Sequence, residues 1–274
     1  MVEQSGGVGI QRSPAIGIVG NLPWLIAAAL LVVAVILKIV VDVLFGNNDW
    51  PLWFFVWAEG GVIEQATWLM LGTGALLAMW VSGRSQGGQE RFWGWFAVGL
   101  ALLLVEDAGN ISHRFADHAD LVLPRLGIAP PSRNAARLVV FSVLGGVMLW
   151  VLFAYRPIWS KRRDLRNVLV GGYLLYSAAS LLSVPFNLFF GGYERIGDRL
   201  VAVLYGQRLT PMPEPVWGLD EVATGLVWMD SVVEESLELM AAAFLATVSV
   251  RGWRSIKRSA EKELSPLDSA SSPT

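Results

Sequence analysis

Four carboxylates stand inside one long apolar stretch, Val227 to Val250 (VWMDSVVEESLELMAAAFLATVSV): Asp230, Glu234, Glu235 and Glu238. The stretch is long enough to cross a bilayer as a helix. Each acid held near the bilayer centre would cost about 2.5–3.5 kcal/mol. Asp230, Glu234 and Glu238 follow the spacing i, i+4, i+8, so they share one helix face, with Glu235 on its flank. That face cannot point at lipid, and the rest of the chain must receive it.

A second polar set lies in VEDAGNISHRF, where Glu106, Asn110 and His113 follow i, i+4, i+7 and Asp107 stands beside them. Glu59 and Glu64 form a third group at the start of another apolar run. Two such faces meeting would gather several carboxylates and one imidazole. In a low dielectric these acids cannot all stay ionised, so either some keep their protons or a cation neutralises them. Arg114 and Arg137 are near in sequence, but the acids outnumber them.

Carboxylates with one amide and one imidazole suit a hard divalent cation, and the candidate ligands are Glu64, Glu106, Asn110, His113, Glu234 and Glu238. Such a cation would activate a bound water, with Glu235 or His113 as the proton acceptor, giving hydrolysis of a lipid or other membrane-embedded substrate. The Glu-x-x-His signature of soluble two-metal bundles is absent. A cation- or proton-coupled transporter or sensor is the second reading, and a scaffold or assembly factor that uses the acids to bind a partner is the third. A transport path should continue to the opposite membrane face. Little continues it beyond a Lys38–Asp42 pair and the Tyr173, Ser177, Ser180, Ser183 and Asn187 side of a later span.

A blander account also exists. Acids near helix N-termini offset the macrodipole and cap free amides, which accommodates Asp230, Glu59 and Glu64. It fails for Glu106 and Asp107, at the C-terminal half of their helix, and for Glu238, which is too deep.

The elements that position these groups follow from composition. The chain has 274 residues, 54% of them hydrophobic and 16% charged. A soluble domain is nearer about 25% charged, so an all-α, polytopic membrane protein is expected. A net charge of -2 gives no footing for nucleic acid, and without cysteine there is no disulfide or thiolate chemistry. The expected partners are the lipid bilayer and a lipid or small cation.

Six spans are expected, at about Leu22–Phe45, Gly61–Val81, Phe92–Ser112, Ala135–Tyr155, Val168–Phe190 and Val227–Val250. Residues 1–20 read as a flexible N-terminus, 21–254 as the membrane domain and 255–274 as a disordered tail. A polar loop is expected over Arg114–Asn134, and an amphipathic piece at Glu194–Tyr205 within the long fifth connection. Arg84, Arg91, Arg156, Lys161, Arg162, Arg163, Arg166, Arg251, Arg254, Lys257, Arg258 and Lys262 fall in connections on one side, so both termini are expected to be cytoplasmic. Counting about 1.5 Å per residue then puts Glu106 and Glu238 on the order of 10 Å below the outer boundary. His118 reads as a solvated loop residue.

The segments AEGGVIEQATWLML, LLLVEDAGNISHRF and EESLELMAAAFL resemble an uncharacterised group of bacterial multi-pass membrane proteins. That group has a Glu-x-Gly-x-x-Glu opening, a later acidic pair and a Glu-rich last helix. The matching residues are Glu59, Gly61, Glu64, Glu106, Asp107, Glu234, Glu235 and Glu238. The resemblance implies a multi-pass location in a bacterial inner membrane and assigns no activity. Two intramembrane protease families resemble the chain only in the Glu234-Glu235 doublet, since the basic residue and further histidines of their pattern are missing.

Overall fold

The computed structural model describes residues 21–45, 56–57, 60–183, 195–197, 199–200, 203 and 228–269, and the described chain is helical without a strand. In order it forms α1 (Leu22–Phe45), α2 (Val62–Ser82), α3 (Gly88–Gly109) and the short α4 (Ile111–Val122). A 3-10 turn (Pro124–Leu126), α5 (Arg133–Ala154), a four-residue α6 (Arg156–Trp159) and α7 (Arg163–Leu181) follow. A π-helix over Trp228–Glu234 then leads into α8 (Glu235–Ser269). Helices satisfy every backbone group internally, which is what an apolar sequence in lipid requires.

Among the described residues three helices, α2, α3 and α5, are long and apolar enough to cross a membrane. In α1 the corresponding apolar stretch, Leu22–Leu37, is shorter. The α7 helix carries Arg163, Asp164 and Arg166 in its first turn, and α8 opens on its acids and continues past its apolar part. The expected boundaries of α1, α2 and α5 agree with the structure to within two residues.

Four expectations change. The third span ends at Gly109, because Asn110 adopts the left-handed conformation (φ 47°, ψ 45°) and closes α3. Asparagine tolerates that region better than most side chains. Much of the polar stretch after it, read as a loop, is α4 and the 3-10 turn. Asp117 and Arg133 pair at 3.0 Å across this segment, and Ser132 Oγ caps α5 by accepting from the Ala135 amide. The sixth stretch opens as a π-helix, whereas its spacing reads as a plain α-helix. At its far end α8 stays helical through Ser269, into the stretch that composition reads as a disordered tail. The Lys38–Asp42 pair, Glu59, Asn187 and most of Glu194–Tyr205 lie outside the described residues and side chains.

The central element is α8, which packs on α2, α7 and α1. Ala241, Ala242, Ala243 and Ala246 are buried along it, and small side chains let the neighbouring backbones approach. Close approach also explains two glycines. A Cβ at Gly172 would meet Leu245 at 2.9 Å, and one at Gly252 would meet the Trp93 ring at 2.4 Å. At this end of the bundle Phe92, Trp93, Phe96, Leu100, Leu165, Leu169 and Val248 form a packed core. Phe92 lies 5.0 Å edge-on from Trp93 and 5.9 Å stacked from Phe96.

The same end is fastened by Arg251. It donates to the Asp164 carbonyl, and to Asn21 Oδ1 at 2.5 Å. Those bonds, with the Trp93–Gly252 contact, bring the starts of α1, α3 and α7 to one side with the middle of α8. The Arg84 guanidinium sits 4.0 Å over the Trp80 ring on this side, and Trp159 Nε1 donates to the Leu152 carbonyl at 3.0 Å. The start of α2, the end of α3, the start of α5 and the start of α8 therefore share the opposite end.

Candidate functional site, an acidic pocket beside an apolar cleft

At that opposite end lies a pocket of about 180 Å³. Each wall comes from a different helix. Trp57 and Glu64 come from the entry and first turn of α2, and Glu106 and Asp107 from the last turns of α3. Asn110, Ser112 and His113 come from the break and the start of α4. Arg137 and Phe141 reach in from α5, and Asp230, Ser231, Glu234, Glu235 and Glu238 come from the π-helix and α8. Glu64, Glu106, Asn110, His113, Glu234, Glu235 and Glu238, all singled out in the sequence, thus line one cavity.

Local backbone geometry makes this convergence. The break at Asn110 means that Glu106, Asn110 and His113 do not follow one straight helix face. The chain turns at Asn110, and α4 still delivers Ser112 and His113 to the wall. In the π-helix the i→i+5 pairing widens each turn, so Asp230, Glu234 and Glu235 all face the cavity rather than Glu235 standing on a flank. Single π turns inside helices are frequent at functional sites.

Glu64 does two things at once. It is 5% exposed, and its Oε2 accepts from the Gly60 amide, where a positive φ of 78° turns the chain into α2. Gln65 Nε2 closes the same turn by donating to the Gly60 carbonyl at 2.8 Å. The helix-capping account therefore applies to Glu64 while the residue also lines the pocket. Glu106 is held by Ser112, through its hydroxyl and its amide, and Ser112 is 2% exposed.

Seven carboxylates line the cavity against one guanidinium, Arg137, and one imidazole, His113. Arg114, the other expected counter-charge, is exposed on α4 and is not part of the wall. His118 is also exposed, with Nδ1 2.7 Å from the Arg114 carbonyl of its own helix. Several polar atoms around the pocket are buried without a hydrogen-bond partner: Trp57 Nε1, Arg137 Nε and Glu235 Oε2. Buried polar atoms are nearly always satisfied, and each exception asks for an explanation. The donor set suits a divalent cation chemically, but among the described residues no three of His, Asp and Glu converge closely enough to hold one.

A second cavity, of about 260 Å³, lies against the first. It fills the gap between α5 and α7, helices that make little contact with each other. Its walls are mostly apolar, from Leu103, Leu138, Leu144, Met148 and Leu245, with Tyr173, Tyr176, Ser177 and Ser180 along α7. The Tyr173, Tyr176, Ser177 and Ser180 side of α7 is thus a cleft wall. Glu106 and Phe141 line both cavities and form the seam between them.

Spacing alone did not single out Trp57, Ser112, Phe141 or Ser231. Phe141 could have been found as the residue one turn after Arg137 on the same helix face. The other three carried no such signal. No family model, curated protein or solved structure matches the chain.

Proposed function

We propose that the protein is a membrane-embedded enzyme that hydrolyses a bond at the polar end of a lipid-like substrate. One observation carries this reading: the acidic pocket is joined to an apolar cleft through Glu106 and Phe141. A substrate with a hydrocarbon part and a polar head meets both environments there. The hydrocarbon lies between α5 and α7, and the reacting bond lies among the carboxylates.

Glu235 and His113 take the proton from the attacking water and return it to the leaving oxygen. Glu106, held by Ser112, orients the head group, and Arg137 offsets negative charge at the rim. A divalent cation held by Glu64, Glu106, Asn110, His113, Glu234 and Glu238 supplies charge neutralisation and Lewis acidity when bound. In the described arrangement those side chains must draw together to hold it.

The packed end of the bundle argues against a conduction path. Below the pocket the buried hydroxyls of Thr67 and Thr247 donate to the carbonyls of Ile63 and Ala243 in their own helices, at 3.2 and 2.8 Å. They do not link into a chain of proton carriers, and the aromatic core follows them. The location in this reading is a bacterial inner membrane, crossed six times, with the basic end and both termini cytoplasmic and the pocket in the outer half. The resemblance to bacterial multi-pass proteins supports it through the acidic motifs alone.

The test is metal content of the protein purified in mild detergent, beside a Glu234→Ala/Glu238→Ala double variant. Near-stoichiometric divalent metal in the parent and none in the variant is the expected result. Metal in neither sample removes the cation from the mechanism, and absence of hydrolysis across ester- and phosphoester-linked lipids removes the enzyme.

A further inference from the structure

We infer that the cleft between α5 and α7 is a binding slot for one hydrocarbon chain of an amphiphile, with the Tyr176 hydroxyl meeting the first polar group at the head of that chain. The inference deepens the proposed function by naming how the substrate is held, and it rests on that reading for the fate of the head group.

The slot is sized and surfaced for hydrocarbon. Its volume of about 260 Å³ exceeds the roughly 150 Å³ at which an apolar protein cavity already takes up benzene. It also has a side entrance. Leu149 and Leu181 on its rim are 51% and 58% exposed, so a chain can slip in sideways from the bilayer without crossing the polar pocket. Gly145 on α5 keeps the wall low, since a Cβ built there meets nothing within 4 Å.

The inner limit of the slot is polar and unsatisfied. Tyr176 is 9% exposed, lines the cleft, and its hydroxyl has no hydrogen-bond partner. Tyr173, one turn earlier, turns its hydroxyl to Met148 Sδ at 3.8 Å, a weak acceptor. A buried hydroxyl without a partner, at the back of an apolar slot and beside the Glu106 seam, suits a ligand that carries an ester, amide or hydroxyl just above its chain. Such a ligand would leave its remaining head group among the carboxylates.

The experiment uses the full-length protein in nanodiscs containing a phospholipid with a diazirine on one acyl chain, photolysed and mapped by peptide. Expected is labelling of Met148 and Ser177, the cleft walls, above the background on the exposed Val33 and Ile36 of α1. Gly145→Leu should cut cleft labelling at least about ten-fold while leaving the α1 signal unchanged, and Ser177→Leu should do the same from the opposite wall. Tyr176→Phe should cut it by about five-fold, the worth of one ordinary hydrogen bond. Equal labelling of cleft and α1, or cleft labelling untouched by both leucine variants when each keeps the parent's thermal unfolding profile, overturns the slot. Selective labelling in a protein that hydrolyses no lipid keeps the slot and removes the enzyme reading, so the two failures are told apart.

Discussion

The two ends of one helix bundle are built by opposite rules. At the basic end Phe92, Trp93, Phe96 and Val248 interlock, glycines admit the Trp93 ring and the Leu245 side chain, and Arg251 ties α8 to α7 and to Asn21. At the other end the same helices present seven carboxylates, a left-handed Asn110, a π-helix, and buried polar atoms without partners. One end spends its contacts on cohesion; the other holds groups that cohesion alone would not keep. Irregular backbone and unmet polar atoms persist at one end because packing elsewhere can hold them in place.

That contrast breaks if variants at the two ends behave alike. The largest effect belongs to the packed end: Phe96→Ala should cost about 3–5 kcal/mol through the cavity it leaves, read as a loss of melting temperature in detergent. Comparable next is the Glu234→Ala/Glu238→Ala pair, expected to weaken divalent-metal binding at least about 100-fold, or about 2.7 kcal/mol, without lowering stability, measured by calorimetric titration. A stability loss matching that of Phe96→Ala would show the acids to be structural.

Gly252→Val should cost about 1–3 kcal/mol, because the new side chain must displace the Trp93 ring from the α8 backbone. Denaturant unfolding of the parent and the variant measures it, and an unchanged midpoint would deny the close approach. The smallest expected shift is in stability at the acidic end. Glu235→Gln keeps the size and most of the hydrogen-bonding capacity of the buried side chain but cannot take up a proton, so it should leave stability within about 0.5 kcal/mol of the parent while abolishing hydrolysis. A Glu235→Gln protein that is both less stable and still active would reverse the roles assigned to the two ends.

Much of the site was legible because membrane burial makes polar residues expensive. Glu106, Glu234, Glu235 and Glu238 stand out in apolar runs precisely where a bland residue would cost nothing, and helical spacing pairs them with Asn110 and His113. Arg137 was visible only as a nearby counter-charge. Trp57, Phe141 and Ser112 were not visible as site residues, because a tryptophan near a membrane boundary, a phenylalanine in a span and a serine at a helix start are ordinary there.

By itself the sequence determined the helical class, the bounds of α1, α2 and α5 to within two residues, and the roster of costly acids, since hydropathy and 3.6-residue spacing are local properties. It did not determine the turn at Asn110 or the π-helix before Glu235, which depend on what the neighbouring helices demand. Nor could it show that α5 stands off α7, leaving an apolar cleft against the acids. A gap between helices belongs to no single stretch of chain, and only the packing of α8 against α2, α7 and α1 decides where it opens.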